Sequence, residues 1–273
     1  MDSKADYSAV WQPLVEHMCQ AWLHAPEPWR VIGVAGGQGS GKSTFSRCLA
    51  QQLAAHEAAV EVVSLDDFYL SKSARVDLGD RVHPLLATRG VPGTHDTQHL
   101  GEVLAHMRAG GGQVALPSFD KGADDRRANR SVHSKLLIVE GWCLGVSAQP
   151  LDLLESPQNT LEAQEDAQGI WRRWVNQQVI EHYEPLWGLF DTWIYLRVPD
   201  FSQVAQWRGE QERSIAAGQQ MGAAALERFI AHYERITRWQ LACVDQQLAG
   251  GAGVFDVIAR LSATHALEEI WTA

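Results

Sequence analysis

Residues 36 to 43 read Gly-Gly-Gln-Gly-Ser-Gly-Lys-Ser, an uninterrupted GxxxxGK[ST] pattern. The apolar run Val31–Ala35 precedes the pattern and suits a buried strand. Phe45, Leu49 and Leu53 follow it with the spacing of one helix face. A strand, a glycine loop and a helix in this order favour a phosphate site over a ligand-free glycine turn, because the loop amides and the helix N-terminus face the same anion. The pattern predicts a bound nucleoside triphosphate.

Two residues of the loop have distinct expected roles. Lys42 is expected to reach the β- and γ-phosphates, and the Ser43 hydroxyl is expected to ligate Mg²⁺. The other nucleotide-binding positions of the prediction are Gly36, Gly37, Gln38, Gly39, Ser40, Gly41 and Thr44.

Composition limits the class of protein. A chain of 273 residues suits one large α/β domain or two small ones. Its net charge of −10 argues against a nucleic-acid surface but allows small anionic substrates, which need only a few local cations. No apolar run reaches membrane-spanning length, the first residues lack a secretory pattern, and the four cysteines form no CxxC pair. We therefore expect a cytoplasmic protein with neither nucleic acid nor a membrane as partner.

Apolar periodicity predicts strands that alternate with helices. The predicted helices are Ser8–Leu23, Thr97–Arg108, Ile170–Trp187, Ser202–Leu248 with a break near Gly218 and Gly222, and Ala263–Trp271. The further predicted strands are Val60–Leu65, Leu136–Val139, Thr192–Leu196 and Val254–Ile258. Such alternation predicts one α/β domain, 1–273, with a mainly parallel sheet covered on both faces. Within it we expect an N-terminal helix (about 6–24), acceptor-binding loops (about 66–130), an irregular insertion (about 150–170) and a lid (about 200–222).

Two acidic positions follow predicted strands, where parallel sheets bind their ligands. Asp66 directly follows Val60–Leu65 and can orient an alcohol and accept its proton beside the γ-phosphate. The alternative for this residue is a turn or helix cap. Glu140 ends the strand expected to neighbour strand one, where it fits a ligand of Mg²⁺ or water better than a solvent-facing carboxylate.

Polar clusters and arginines lie between and after these strands. Arg89–Asp96 contains a cation, an imidazole and a carboxylate, and Phe119–Arg127 is a second charged segment. Both segments suit the docking of an acceptor, although solvated loops have the same composition. Arg208 and Arg213 follow the fourth strand, where a helical lid can bring arginines to the phosphates. An exposed helix with Glu–Arg pairs is the alternative there.

The chain resembles the P-loop kinases that include uridine kinase, phosphoribulokinase and pantothenate kinase, and more specifically the D-glycerate 3-kinase family. The similarity covers about Val31 to Glu212, and RGVPGTHD (89–96) and EGW (140–142) distinguish it from uridine kinases. Further matching stretches are Ser64–Leu70, His83–Leu86, Leu116–Lys121, Asn159–Glu162, Trp171–Asn176 and Trp207–Glu212. Plant and fungal members have a longer glycine-rich stretch where this chain has residues 122–126.

The resemblance implies a P-loop NTPase fold with three layers, α/β/α, and a helical lid. It also implies phosphorylation of D-glycerate that depends on ATP and Mg²⁺. Asp66 would be the base, Lys42, Arg208 and Arg213 would act on the phosphates, and Ser43 and Glu140 would hold the metal. The implied substrate-binding residues are Asp67, Tyr69, Arg89, His95, Asp96, Asp120, Lys121 and Arg126.

Other functions remain open at the level of the sequence. A kinase of another small acceptor, such as a nucleoside, pantothenate or a sugar phosphate, would share the same loop. An NTPase switch or motor is disfavoured, because the chain lacks both Asn-Lys-x-Asp and Leu-Ser-Gly-Gly-Gln. A non-catalytic ATP-binding regulator is disfavoured because the base, the metal acid and the phosphate lysine are all present. The expected partner is a small-molecule acceptor, and the sequence leaves monomer and homodimer undecided.

Overall fold

The computed structural model describes residues 8–56, 59–213 and 221–273. The strands are β1 Val31–Gly36, β2 Val60–Ser64, β3 Gly112–Asp120, β4 Asp125–Ser134, β5 Leu136–Gly141, β6 Thr192–Arg197, β7 Val257–Leu261 and β8 Leu267–Thr272. The helices are α1 Ser8–Leu23, α2 Lys42–Ala54, α3 Lys72–Arg81, α4 Thr97–Arg108, α5 Thr160–Glu165, α6 Ile170–Gln178, α7 Glu184–Trp187, α8 Phe201–Arg213 and α9 Ala223–Leu248. A π-helical turn, Val179–Tyr183, joins α6 to α7, which agrees with the predicted helix over 170–187.

The central sheet has the strand order β2-β5-β1-β6-β7-β8. Its first five strands are parallel, and β8 runs antiparallel to β7 at the edge. The strand that carries Glu140 pairs directly with β1, with Val34 opposite Glu140, as predicted. The glycine loop after β1 and the carboxylate at the end of β5 therefore meet at the same edge of the sheet.

Helices cover both faces of this sheet, because alternate residues of a strand point to opposite sides. In β1, Val31 and Ala35 belong to the apolar core under α4, α6 and α9. Ile32 and Val34 belong to the second core, under α1 and α2. The three-layer α/β/α class predicted from the sequence is confirmed. No helix in the described part of the chain has both the length and the apolar character needed to cross a membrane.

The predicted acceptor-binding loops, about 66–130, contain regular structure over residues 66–96. The segment contains α3 and two 3₁₀ turns, Leu65–Phe68 and Pro84–Ala87. Helix α3 has no apolar face that would predict it, because it buries the charged Arg75 and leaves Val76 43% exposed. Ser71 caps the N-terminus of this helix, because its hydroxyl accepts a hydrogen bond from the Ala74 amide.

A β-hairpin, β3–β4, occupies residues 112–134, where the apolar pattern predicts no strand. Most of β4 is exposed, so it has neither the apolar run nor the alternation that identifies a strand. Arg130 on β4 donates to the Glu61 carboxylate (2.8 Å) and to the Val62 carbonyl (3.1 Å) at the open edge of β2. The hairpin brings the charged segment 119–127 to the turn after β2, where Lys121 contacts Asp66.

The predicted closing helix Ala263–Trp271 is wrong, and β7 begins at Val257 rather than at 254. His265 has a left-handed φ of 62°, and the Ser262 hydroxyl accepts the amides of Thr264 and Ala266. This turn reverses the chain, so that β8 pairs with β7. Pairing with the exposed strand edge outweighs the local helical preference of the segment.

The predicted insertion is described in full, and the predicted lid is described in part. The insertion about 150–170 contains a 3₁₀ turn, Leu151–Leu154, and the short helix α5. The long helical stretch is divided as predicted, with Gly222 preceding α9. Gly218 and residues 214–220 of the predicted lid lie outside the described residues, as do residues 6 and 7 of the predicted N-terminal helix.

Candidate active site

The glycine loop turns tightly between β1 and α2. Gly39 and Gly41 adopt φ values of 80° and 89°, a region that side chains rarely reach. A Cβ atom on Gly39 would lie 2.7 Å from Trp207, and one on Gly41 would lie 2.7 Å from Trp11. Glycine is therefore required at both positions by conformation and by space.

Lys42 lies at the start of α2 and is buried. Its ammonium donates to the Gly37 carbonyl (2.9 Å), which holds the side chain inside the loop. Burial lowers the pKa of this ammonium, while the neighbouring carboxylates of Glu140 and Asp66 oppose that shift. The charge is thus positioned for an anion beside the loop amides.

Ser43 and Glu140 offer the hard oxygen atoms that a magnesium ion prefers. The Ser43 hydroxyl donates to Glu140 Oε1 at 2.9 Å, so both oxygens lie side by side at the mouth of the loop. The described residues contain no group of three or more His, Cys, Asp or Glu side chains that would form a complete cage. Mg²⁺ is commonly held by one or two carboxylates together with substrate phosphates and water, and this donor pair fits that pattern.

Asp66 is held by the 3₁₀ turn that follows β2. Its carboxylate accepts from the Lys121 ammonium at 2.6 Å and from the Tyr69 hydroxyl at 3.0 Å. Burial alone would raise the pKa of Asp66, but the charge and hydrogen bond of Lys121 outweigh it, so the pKa lies below its ordinary value. Asp66 is consequently ionised at neutral pH and able to accept a proton.

A cleft of about 710 Å³ opens between the glycine loop and Asp66. The predicted residues in its wall are Gln38, Gly39, Lys42, Ser43, Asp66, Tyr69, Arg89, Lys121, Glu140 and Arg208. Arg208 forms an ion pair with Glu212 (2.8 Å) and lies over the Phe229 ring at 5.0 Å. Arg213, at the exposed end of α8, is not part of this wall.

Several predicted substrate-binding residues lie outside the wall and stabilise the backbone around it. Asp67 accepts the amides of Ser64 (3.2 Å) and Phe119 (3.3 Å). Asp96 caps the N-terminus of α4, because its carboxylate accepts a hydrogen bond from the His99 amide. Its second oxygen accepts from Arg126 at 2.9 Å.

Two more predicted substrate-binding residues lie outside the wall, Asp120 in the turn of the hairpin and His95 in the core. Asp120 accepts the amides of Gly122 and Ala123 at the tip of the hairpin. His95 is buried and stacks on the Tyr69 ring at 4.5 Å. Direct contact of Asp67, His95, Asp96, Asp120 and Arg126 with an acceptor stays a prediction.

His95 is an uncharged imidazole in a buried hydrogen-bonded site. Tyr183 accepts the Gly93 amide at 2.9 Å, and its oxygen lies 2.7 Å from His95 Nδ1. Burial lowers the pKa of His95 to about 4, so the ring is neutral at physiological pH. The neutral imidazole and the Tyr183 hydroxyl therefore share one hydrogen bond, whose donor is set by the tautomer of the ring.

The cleft also contains residues that are not among the individually predicted site residues. They are Ser64, Ala87, Thr88, Asp124, Gly141, Trp142, Gln211, Met221, Phe229 and Tyr233. The Trp142 indole donates to the Gly90 carbonyl (3.2 Å), and its ring meets Tyr233 edge-on at 4.8 Å. The aromatic pair Phe229 and Tyr233, four residues apart after the predicted lid, is the signal that could have indicated this wall.

Comparison with known proteins identifies kinases as relatives of this chain. Over 219 residues the chain is 32% identical to the uncharacterized kinase mug58 of Schizosaccharomyces pombe, covering 74% of this chain and 78% of that protein. It is 26% identical over 222 residues to chloroplastic D-glycerate 3-kinase of Arabidopsis thaliana, covering 76% of this chain and 46% of the plant protein. No family model matches the chain.

A solved structure shares the fold over nearly the whole chain. D-glycerate 3-kinase from Cryptococcus neoformans superposes with a TM-score of 0.72 at 24% identity, covering 97% of both chains. That identity establishes the fold, and the match to the S. pombe kinase establishes the family. The chain is an ATP-dependent phosphotransferase, and it belongs to the family of P-loop kinases that contains mug58 and D-glycerate 3-kinase.

Proposed function

We propose that this protein transfers the γ-phosphoryl group of ATP to a hydroxyl group of D-glycerate. The observation that carries the proposal is the cleft in which ionised Asp66 faces the glycine loop, with the cations Lys121 and Arg89 in the same wall. Its volume of about 710 Å³ lies within the usual range for small-molecule sites. D-glycerate carries both groups that such a wall recognises, a hydroxyl and a carboxylate.

Asp66 acts as the general base in this proposal. The acceptor hydroxyl gives its proton to the Asp66 carboxylate while its oxygen forms a bond to the γ-phosphorus. The bond from that phosphorus to the bridging β,γ-oxygen breaks, and ADP leaves. Tyr69, whose pKa burial and Asp66 raise well above its ordinary value, stays protonated and keeps one oxygen of the base oriented.

Cations neutralise the charge of the transferring group. Lys42 lies at the loop and Arg208 lies in the wall of the same cleft, where a planar guanidinium suits phosphate oxygens. Ser43 and Glu140 would hold Mg²⁺, which supplies further positive charge to the phosphates when bound. Electrostatic stabilisation of this kind is the main contribution to phosphoryl transfer.

The acceptor is identified by ADP release from purified protein with ATP and Mg²⁺. D-glycerate should stimulate turnover strongly, whereas L-glycerate, uridine, pantothenate and ribulose 5-phosphate should not. Phosphorus NMR of the product would then identify the phosphorylated hydroxyl. Stimulation by one of the other acceptors would retain the kinase and reject D-glycerate as substrate. Turnover without any acceptor would instead favour an NTPase switch.

A further inference from the structure

Arg75 on α3 is fully buried, and it forms hydrogen bonds to three separate segments around the acceptor side of the cleft. Its guanidinium donates to the carbonyls of Leu70 (3.2 Å), Ala87 (2.9 Å) and Asp124 (2.7 Å). The Leu70 carbonyl lies after β2, the Ala87 carbonyl ends a 3₁₀ turn, and the Asp124 carbonyl lies in the hairpin tip. A buried charge is tolerated because each of its donor groups is matched.

The Asp124 carboxylate connects this buried arginine to the cleft. It forms an ion pair with Arg75 at 3.0 Å and accepts a hydrogen bond from Arg89 Nη1. The backbone of Asp124 is left-handed, with a φ of 56°, and the Arg75 bond to its carbonyl holds that conformation. One carboxylate thus bridges two guanidinium groups, one buried and one in the cleft wall.

Two further contacts orient the Arg89 guanidinium. Its Nη2 donates to the Lys121 carbonyl at 3.3 Å. The Phe119 ring lies 5.5 Å from the Arg89 carbon and 5.8 Å from that of Arg75. A guanidinium has five N–H donors, and these hydrogen bonds with Asp124 and Lys121 engage two of them. The others remain available to an anion in the cleft.

We propose that Arg75 and Asp124 are positioning residues that hold Arg89 as the anchor for the acceptor's carboxylate. This inference rests on the proposed function. Arg89 provides a planar fork that matches a carboxylate, and preorganisation reduces the entropy lost when the acceptor binds. Asp124 acts through Arg89 and has no separate contact with the substrate in this arrangement.

A double-mutant cycle tests the connection. Asp124→Ala should raise the KM for D-glycerate about tenfold, with kcat and the KM for ATP within about threefold, because the anchor binds ground state and transition state alike. In an Arg89→Ala background, Asp124→Ala should have no further effect. Additive effects of the two substitutions would overturn the proposal.

The same turn offers a matched control. Asp125 accepts the amides of Lys72 and Arg126, so Asp125→Ala removes a carboxylate from the turn without removing the ion pair to Arg89. It should leave the KM for D-glycerate within about twofold. An equal rise of KM in Asp124→Ala and Asp125→Ala would indicate general disruption of the hairpin tip and contradict the proposal. Arg75→Lys keeps the charge without the three-way fork and should raise KM as Asp124→Ala does.

A spectroscopic measurement separates this inference from the choice of acceptor. In ¹⁵N NMR of the wild-type protein, rotation of the Arg89 guanidinium should be slow, and Arg89→Lys assigns its signal. Rotation should become fast in Asp124→Ala and stay slow in Asp125→Ala. Fast rotation in the wild type would overturn the positioning role whatever the acceptor. Slow rotation with no turnover of D-glycerate would retain it and reject the proposed function.

Discussion

At the scale of single residues, Asp66 is defined by its neighbours. Lys121 lowers its pKa, and Tyr69 fixes one of its oxygens. Asp66→Asn keeps the size of the side chain but removes the proton acceptor. We expect kcat to fall by about 10²- to 10⁴-fold, the usual range for general-base catalysis, while ATP affinity changes by less than about threefold. Turnover and ATP titration of the variant measure both.

The control for this substitution is Asp77→Asn on the exposed face of α3. It should leave both quantities unchanged. Near-normal turnover in Asp66→Asn would show that another group accepts the proton.

His95 makes the stability of the protein depend on pH. Its pKa of about 4 in the fold lies below the ordinary value of 6.5, so the unfolded chain takes up a proton first as the pH falls. The stability that neutral His95 provides is therefore complete above pH 6.5 and is lost as the pH falls towards 4. Between pH 7 and pH 5 the free energy of unfolding should fall by about 2 kcal/mol from this residue.

Urea unfolding of the wild type and of His95→Asn at both pH values measures this contribution. The asparagine side chain can still form a hydrogen bond with Tyr183 but does not titrate. The variant should lose less stability than the wild type on going to pH 5. Equal losses would mean that His95 is not responsible.

The residues predicted from sequence are those with a local signal. Lys42, Ser43 and Asp66 follow strands and Glu140 lies at the end of one, and the sheet brings strand ends together whatever the rest of the chain does. Tyr233 reaches the cleft from a segment far from the predicted site residues, so only folding reveals it. Asp124 belongs to the charged segment 119–127, which the sequence already indicates for acceptor docking, but its contact with Arg89 depends on the fold. Asp67 and Asp96 have the same residue type as a catalytic acid but accept backbone amides. Residue type alone does not separate these two uses.

At the scale of elements, periodicity identified the helices and strands with apolar faces. It failed for α3, which buries an arginine, and for β4, which is exposed along most of its length. It also failed for β8, whose conformation depends on the edge of β7. In each case a tertiary contact, absent from local sequence, decides the structure.

The link between α5 and α9 is an ion pair that should determine the stability of the insertion. Arg235 donates to both oxygens of the fully buried Glu162, at 2.7 and 2.6 Å, and to the carbonyls of Leu153 and Ser156. Glu162→Gln leaves the arginine charge buried without its counter-ion. We expect the free energy of unfolding to fall by about 3 kcal/mol in denaturant titration.

A comparable ion pair on the surface is the control. Glu165 pairs with Arg228, and these side chains are 39% and 45% exposed. Glu165→Gln should change the free energy of unfolding by less than about 1 kcal/mol, because water screens that pair. Similar losses in both variants would contradict the role of burial.

At the scale of the whole molecule, the alternation of strands and helices was sufficient to predict a three-layer α/β/α fold. The antiparallel edge strand was not foreseeable from that alternation. The central position of β1 places the glycine loop between Glu140 on one side and α8 on the other. A ligand at this loop therefore contacts elements from most of the chain.

Nucleotide binding should consequently stabilise the entire fold. At an ATP concentration one hundred times Kd, the added free energy is about 2.7 kcal/mol, which for a chain of this size corresponds to a rise in Tm on the order of 5 °C. Lys42→Met should fold but show little of this rise. Differential scanning fluorimetry measures both, and an equal rise in the variant would place the nucleotide elsewhere.

The two edges of the sheet also affect how the protein behaves at high concentration. At one edge, Arg130 from the hairpin occupies the Val62 carbonyl of β2. At the other, β8 carries the exposed carboxylates Glu268 and Glu269. A second molecule that tried to extend the sheet would have to displace a guanidinium at one end or bury charges at the other. Growth of β-sheet fibrils from the native state is therefore opposed at both ends.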